Sequence, residues 1–413
     1  MKKILQKVRE PRRFDFLMLG IVLLLMGIGI AMVYSATANT ELPWYQTFWF
    51  KQITYFAFGW LIAFGILLTK PHFWHEFAYP AYIISLIGLV LILFVGATES
   101  HGAVRWISFG FIKIQPSEFA KIGYLLALSR YFSVKKVSLE RLSSFVVPII
   151  LFIVPFLLVL KQPDLSTALV FFSITLMAFY WSGLTFAEMF LLLSPGLSVI
   201  AVLSKLAWGG LMTAVTVALW RRKLPIWLSV LILTLNIAGG FASYTVWNSL
   251  EGHQRSRIMT FIDPMQDPRG AGYQVIQSQL AIGSGGVHGK GFGEGSQTNL
   301  SFLPEEHTDF IFSVLGEQFG FLGGFVLLGL FFLLLVRTYG IAQIHSNLFV
   351  VNVCVGGSTI LLFHIFVNIA MTLGIMPVTG LPLPFLSYGG SFVVTCMILV
   401  GFFMLMRVKG DDI

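Results

Sequence analysis

The chain has 413 residues, of which 56% are hydrophobic and only 11% charged, and its formal net charge is +8. Apolar runs of about 18 to 25 residues, the length that crosses a bilayer core, recur along it, which excludes a soluble globular enzyme and predicts an all-α polytopic membrane protein. The Lys and Arg fall in short clusters between those runs, the placement that retains loops in the cytoplasm, so the positive balance speaks for a membrane and against nucleic acid as a partner. The two cysteines, Cys354 and Cys396, lie inside apolar runs and leave no basis for a disulfide framework or a cysteine metal site.

The N-terminus carries Lys2, Lys3, Lys7, Arg9, Arg12 and Arg13 ahead of an apolar run from Phe16 to Val33, too long for a signal-peptide core and therefore read as a retained first span at 14–34. Further spans are predicted at 52–69, 77–97, 117–132, 145–160, 165–183, 186–204, 207–220, 225–247, 309–336, 347–371 and 391–407, about twelve in all. With the basic N-terminus inside, the segments near Lys70, Lys135/Lys136/Arg141, Arg221/Arg222/Lys223 and Arg337 fall in the cytoplasm. The segments 35–51, 98–116, 161–164, 372–390 and 248–308 then fall outside. No internal repeat is visible, and residues 1–413 read as one integral membrane domain.

Segment 248–308 is polar and contains GSGGVHGKGFGEG (283–295), whose glycines permit turns that other residues resist. Such a run is either a linker or a loop that brings backbone N–H groups to a phosphate. It lacks GxxxxGK[ST] and any βαβ context, so ATP hydrolysis is not supported.

Four stretches carry chemistry. In LPEEHTDFIFSVLGE (303–317), a helix starting near Thr308 would align Asp309, Ser313 and Glu317 on one face, with Gly316, Gly320 and Gly324 as a packing stripe; Asp309 reads equally as a helix cap or as a functional group. In RWISFGFIKIQPSEFAK (105–121), Pro116 suits a first helical turn, Glu118 and Lys121 can pair at i,i+3, and Arg105 with Trp106 suits an interfacial anchor or a site. In KQPDLSTA (161–168), Asp164 is placed to cap the next helix. In GIMPVTGLPLPFLSYGGSF (374–392), Pro and Gly predict irregular backbone of the kind tolerated at membrane depth where it lines a cavity.

The motifs RWI (105–107), QPSEFAK (115–121), QPDLSTA (162–168), DPRGAGYQVIQSQLAIGSGG (267–286), LPEEHTDFIF (303–312) and GLPLPFLSYGGS (380–391), taken in order over nearly the whole chain, resemble the SEDS family of peptidoglycan glycosyltransferases. QPSEFAK and AIGSGGVHGKG are closer to its RodA branch than to its FtsW branch. The resemblance implies a helical bundle of about ten spans, so the surplus predicts an inserted hairpin within 205–247 beside the large extracytoplasmic loop 248–308.

What the resemblance further implies is polymerisation of lipid II into glycan strands during cell-wall elongation, on the outer side of the bacterial cytoplasmic membrane. A lipid-linked glycan strand would be the donor, and a class B penicillin-binding protein with transpeptidase activity the partner. The family's essential aspartate falls on Asp309, the expected general base. Its important Glu, Lys and Arg fall on Glu118, Lys121 and Arg105, and the substrate-binding set extends to Trp106, Asp164, Glu305, His307 and Ser387. A divalent cation, Mg²⁺ or Mn²⁺, is a candidate cofactor, with Glu305, Glu306 and His307 as candidate holders, although their spacing is not diagnostic of a metal site. The rival classes are a lipid II flippase, which alternating access would give a midplane site between related halves, and a scaffold for the penicillin-binding protein.

Overall fold

The computed structural model describes residues 14–38, 43–95, 105–109, 112–135, 138–139, 143–202, 204–249, 271–299 and 305–412. The N-terminal basic cluster, Lys136, Arg141 and the DPRG of the 267–286 motif lie outside the described residues. Within them are α1 (Phe16–Ala36), a 3-10 turn (Trp44–Gln46), α2 (Phe48–Leu68), α3 (Pro71–Val95), β1 (Ile107–Phe109), β2 (Ile112–Ile114), α4 (Pro116–Val134), α5 (Ser143–Leu160), α6 (Leu165–Trp181), α7 (Phe186–Ala201), α8 (Lys205–Arg222) and α9 (Ile226–Ser249). The order continues with α10 (Ala271–Ser284), α11 (Ser296–Asn299), α12 (Ile311–Ile344), α13 (Leu348–Thr372) and α14 (Gly390–Lys409). The β1–β2 ribbon pairs antiparallel, Ile107 opposite Ile114, within an otherwise all-α fold.

Every predicted span falls on one of α1–α9 or α12–α14. Among the described residues 8 helices are long and apolar enough to cross a membrane, and α6 and α7 are apolar but shorter. The helix α4 owes its lower hydropathy to Glu118, Lys121 and Arg130, the first two of which are buried. Burial identifies the centre of the bundle: α13 and α14 are covered over 78% and 89% of their apolar stretches, against 22% for α3 and α12. The outer helices therefore turn Leu, Phe and Ile outward, as a lipid-facing surface requires.

Contacts between loops respect the predicted sidedness. At one end Asp15 caps α1 through Met18 N (2.9 Å) and pairs with Arg337 (2.8 Å), while Lys409 donates to the carbonyls of Leu67 and Thr69 at the end of α2. At the other end Gln318 meets Ser35, Gln115 N meets Ser391, and Ser166 meets the carbonyl of Thr379.

The predicted hairpin folds as α8 and α9, with Lys223 in left-handed conformation ending α8 before Pro225. It leans on α7. Buried Asn236 donates to Ser194 Oγ (2.8 Å) and accepts from Ser198 Oγ (2.8 Å), and Arg222 pairs with Glu188 at 2.6 Å.

The helix α12 departs from expectation. It begins at Ile311, not near Thr308, and breaks at Gly320, whose φ/ψ of 62/−157 no helix accommodates. The glycine-rich run fills that break. Lys290 N and Gly291 N donate to the carbonyls of Glu317 and Gln318 (both 3.0 Å), while Phe321 N and Leu322 N donate to Gly286 O and Val287 O (2.9 and 3.1 Å). Backbone groups freed by the break are thus satisfied by another stretch of backbone, as the membrane interior demands. The run is therefore more than a linker, and the N–H groups of Lys290 and Gly291 are committed to carbonyls of α12 and not left for a phosphate. Of the Gly316/Gly320/Gly324 stripe, Gly316 meets Ile282 of α10, as helix packing predicts, whereas Gly320 meets the 287–289 backbone. Glu317 completes the joint, accepting from Lys290 Nζ (2.7 Å), Gln297 N (3.0 Å) and Thr298 Oγ1 (3.1 Å).

Two predictions follow from this architecture. With a membrane-impermeant thiol reagent applied at the outer face, Glu294→Cys is expected to label and Arg221→Cys not to, the native cysteines being buried; labelling of both would refute twelve spans. At Gly289 (φ +80) an added Cβ runs into the Gln318 carbonyl, whereas at Gly293 (φ +77) nothing stands near. Both Ala variants carry a left-handed penalty of roughly 1–2 kcal/mol. Thermal unfolding in detergent should therefore show a lower midpoint for Gly289→Ala than for Gly293→Ala.

Candidate functional site

At the end of the bundle where α4, α6, α12 and α14 begin, the irregular segments surround a cavity of about 770 Å³. Its wall includes Arg105, Trp106, Glu118, Asp164, Glu305, His307 and Asp309 from the predicted set, brought together from four separate stretches of sequence. Lys121 and Ser387 are not on the wall; both are fully buried behind it.

Asp309 belongs to the turn 305–310 that precedes α12. The N-cap position is Phe310, whose side chain makes no capping bond, so Asp309 lies one residue before the cap, and the predicted Asp309/Ser313/Glu317 face is not formed. Ser313 turns instead to Ser278 of α10 (2.7 Å), and Glu317 to the glycine-rich joint. The turn is organised on the carbonyl of Glu305, a residue with φ +52, which accepts from Thr308 N and Asp309 N (both 3.1 Å). It is pinned from behind by Asn368, whose Nδ2 donates to the carbonyls of Asp309 (2.9 Å) and Leu381 (2.8 Å). Ser387 pins it again. Its hydroxyl donates to Thr308 O (2.6 Å) and accepts from Leu383 N (2.7 Å), which makes Ser387 a clamp between two cavity loops. Opposite the Asp309 carboxylate stands Gly380 (φ +72), where a Cβ would come within 3.2 Å of Oδ2.

The predicted Glu118–Lys121 pair is present. Nζ lies 2.8 Å from Glu118 Oε1 and 3.1 Å from His364 Nε2, with the ammonium fully buried. Pro116 opens α4 at its first turn, which sets Glu118 at the mouth of the helix on the cavity wall and Lys121 one turn deeper. Arg105 donates to the carbonyls of Gln162 (3.2 Å) and Pro163, and so holds the turn from which Asp164 emerges. Asp164 caps α6 as expected, accepting from Thr167 N (3.1 Å) and Thr167 Oγ1 (2.9 Å), while also facing the cavity.

Sequence reasoning passed over several wall residues: Phe48, Lys51 and Tyr55 on α2, Lys113 on β2, Gln115, Tyr388 and Phe392. Phe48, Lys51 and Tyr55 lie in no motif, whereas Lys113, Gln115, Tyr388 and Phe392 lie within quoted stretches but were not singled out. By contrast His364 and Asn368, polar residues one turn apart inside the apolar run LLFHIFVNIA, were detectable as intramembrane polar groups. His307 packs against Phe48 with its ring tilted by 40° (ring centroids 4.3 Å), and burial lowers its pKa against the opposing pull of Glu305.

Glu305, Glu306 and His307 do not form a cation cage. Glu305 is exposed and bonded to Thr308 Oγ1 (3.3 Å), Glu306 is buried, and His307 is engaged with aromatic rings. Among the described residues no three His, Cys, Asp or Glu side chains gather to hold a metal. These three residues therefore do not fit the expected Mg²⁺ or Mn²⁺ site.

Burial, with the Glu317 carboxylate adding to it, raises Glu306 to a pKa of about 8. An unfolded glutamate ionises near ~4.3. Between these values the folded chain holds a proton that the unfolded chain has released, so stability falls as pH rises through this window. Glu306→Gln is expected to unfold at a higher temperature than the parent at pH 8.5, with the gap closing toward pH 4.5; a gap independent of pH would contradict this.

Residues 15–224 and 208–411 match the model of the FtsW/RodA/SpoVE cell cycle protein family. The chain is 34% identical to the peptidoglycan glycosyltransferase RodA of Treponema pallidum, covering 98% of this chain and 99% of that protein. It is likewise 34% identical to the peptidoglycan glycosyltransferase MrdB of Escherichia coli K12, covering 95% and 93%. Among solved structures it resembles a chain of a peptidoglycan synthase complex described as coordinating polymerization and crosslinking (TM-score 0.69, 29% identity, 96% of this chain and 98% of that one). It also resembles the rod shape determining protein RodA of Thermus thermophilus (TM-score 0.63, 27% identity, 95% and 96%). With 8 apolar helices and such relatives, this is a multi-pass bacterial membrane protein. By family model and by identity along almost its entire length, the chain belongs to the FtsW/RodA/SpoVE family.

Proposed function

We propose that this chain is a peptidoglycan glycosyltransferase that polymerises lipid II by an inverting reaction at the 305–310 turn, with Asp309 as general base. The observation that carries this reading is the presentation of Asp309: a carboxylate on the wall of a cavity, on a turn pinned by Asn368 and Ser387. Positioning of that kind is what general-base catalysis requires.

In the reaction, the 4-hydroxyl of the N-acetylglucosamine of one lipid II attacks the anomeric carbon of a lipid-linked strand. Asp309 takes the hydroxyl proton as the new C–O bond forms. The bond from the anomeric carbon to the pyrophosphate oxygen breaks, and the pyrophosphate leaves with the electron pair. Lys51, Arg105 and Lys113 on the same wall supply positive charge for that leaving group. Lys121 is not assigned this task, because its ammonium is sealed behind Glu118. The cavity lies among the loops of the end assigned to the outer face of the cytoplasmic membrane, where an enzyme acting on an external lipid headgroup needs it. The partner is a class B penicillin-binding protein whose transpeptidase crosslinks the strands made here.

Asp309→Asn keeps the size of the side chain without a useful base. Purified with its partner and given labelled lipid II, this variant should polymerise slower by roughly 10²–10⁴-fold while staying folded and binding lipid II. Near-normal glycan synthesis would remove Asp309 from the role of base and favour a scaffold. Movement of lipid II across vesicles without glycan formation by the parent protein would favour a flippase.

A further inference from the structure

We infer that His364 is a positioning residue of this reaction: it fixes the Lys121 ammonium and, through it, holds Glu118 so that one carboxylate oxygen is left to accept a hydrogen bond from a hydroxyl or amide of the substrate. The inference rests on the glycosyl-transfer reading above.

The ring is fully buried in the middle of α13 and its two nitrogens face different partners. Nδ1 lies 3.1 Å from the carbonyl oxygen of Pro382. A carbonyl only accepts, so Nδ1 carries the proton. Nε2 is then a lone pair, and it faces Lys121 Nζ at 3.1 Å, a group that only donates. The imidazole is thereby confined to one tautomer and oriented from both sides. Phe392 holds its plane, stacked at 4.4 Å between centroids and 25° between rings, and the same phenyl ring lies 5.4 Å from the ammonium.

Lys121 spends one N–H on this nitrogen and another on Glu118 Oε1, 2.8 Å away. Glu118 Oε2 is buried and has no hydrogen-bond partner among the described residues, although the side chain lines the cavity. A buried carboxylate oxygen left without a donor is costly, and because the side chain that bears it lines the cavity, a donor on the bound substrate is the group assigned to complete it. The chain of contacts runs from the Pro382 loop through His364 and Lys121 to Glu118. It links the loop opposite Asp309 to the first turn of α4. Asn368, one turn beyond His364 on the same helix, pins the Asp309 turn itself, so a single face of α13 orients two of the cavity carboxylates, Glu118 and Asp309.

The test uses the full-length protein with its partner and labelled lipid II, measuring kcat and KM separately, with thermal unfolding as a check on folding. His364→Leu removes both nitrogens and is expected to lower kcat about tenfold or more, the scale of one hydrogen bond to a charged group, with KM changed by less than about threefold. His364→Gln can donate to Pro382 O and accept from Lys121 at once, and is expected to recover most of the loss. In a Lys121→Met background His364→Leu should cost little more, since the residue acts through that lysine. Should His364→Leu fail to fold, His364→Asn, whose shorter amide cannot span both partners, takes its place with the same expectation. A folded Leu variant with parental kcat, a Gln variant no better than Leu, or losses that multiply in the double variant would each overturn the inference. Absence of glycan synthesis by the parent protein would instead overturn the functional reading on which it rests.

Discussion

Inside a bilayer every backbone N–H and C=O must find a partner within the protein, yet an open polar cavity needs irregular backbone at its walls. This chain meets both demands by exchanging helical hydrogen bonds for bonds to other loops. Where α12 breaks at Gly320, the 286–291 backbone supplies two donors and two acceptors. Where α13 gives way to the long loop before α14, Asn368, Ser387 and Gln52 bond the carbonyls and amides that no helix covers. The 161–164 turn is closed by Arg105. The joints that satisfy the backbone are therefore the same joints that orient the cavity wall.

The helix α13 carries much of this load. His364 and Asn368 follow one another at four-residue spacing on one face, reaching Lys121 and the Asp309 turn, and one turn on the carbonyl of Thr372 accepts from Ser278 of α10. Its depth in the bundle excludes water that would otherwise compete for these bonds. A buried Glu–Lys pair is poor value as a source of stability, because desolvation offsets most of the Coulomb attraction. Its retention at the head of α4, with a third polar group committed to it, is better understood as a means of holding charge in a fixed place.

The helical order was legible because bilayer thickness imposes a length on apolar runs, and each predicted span coincides with a helix. Local rules also caught Pro116 at the start of α4, the Asp164 cap and the Glu118–Lys121 pair, all interactions within one turn. What escaped depends on contacts between distant residues. The glycine-rich run gave no sign that its partner was a break some 30 residues on, since glycine composition reports freedom and not destination. Ser387 was grouped with substrate-binding residues from its place in a motif, whereas its hydroxyl is used between loops. Lys51 and Lys113 lie in segments whose sequence reads as ordinary external loop, and only the fold turns them to the cavity.

The charges that do face the cavity are of both signs, and the distribution distinguishes structural from reactive groups. Arg337 with Asp15, and Lys290 with Glu317, are spent on joints away from it. On the wall, Asp164 is occupied by its helix and Glu118 is half occupied by Lys121, while burial favours the neutral form of Glu306, so that the turn bearing Asp309 does not gather three like charges. Lys51, Arg105 and Lys113 contribute cations to the same enclosure. A wall of uniform positive charge would bind a pyrophosphate but offer no acceptor for the proton of an incoming hydroxyl. A wall of carboxylates would repel the lipid phosphate. Glycosyl transfer from a pyrophosphate to a sugar hydroxyl needs both, and an enclosure of mixed sign at the membrane surface supplies them.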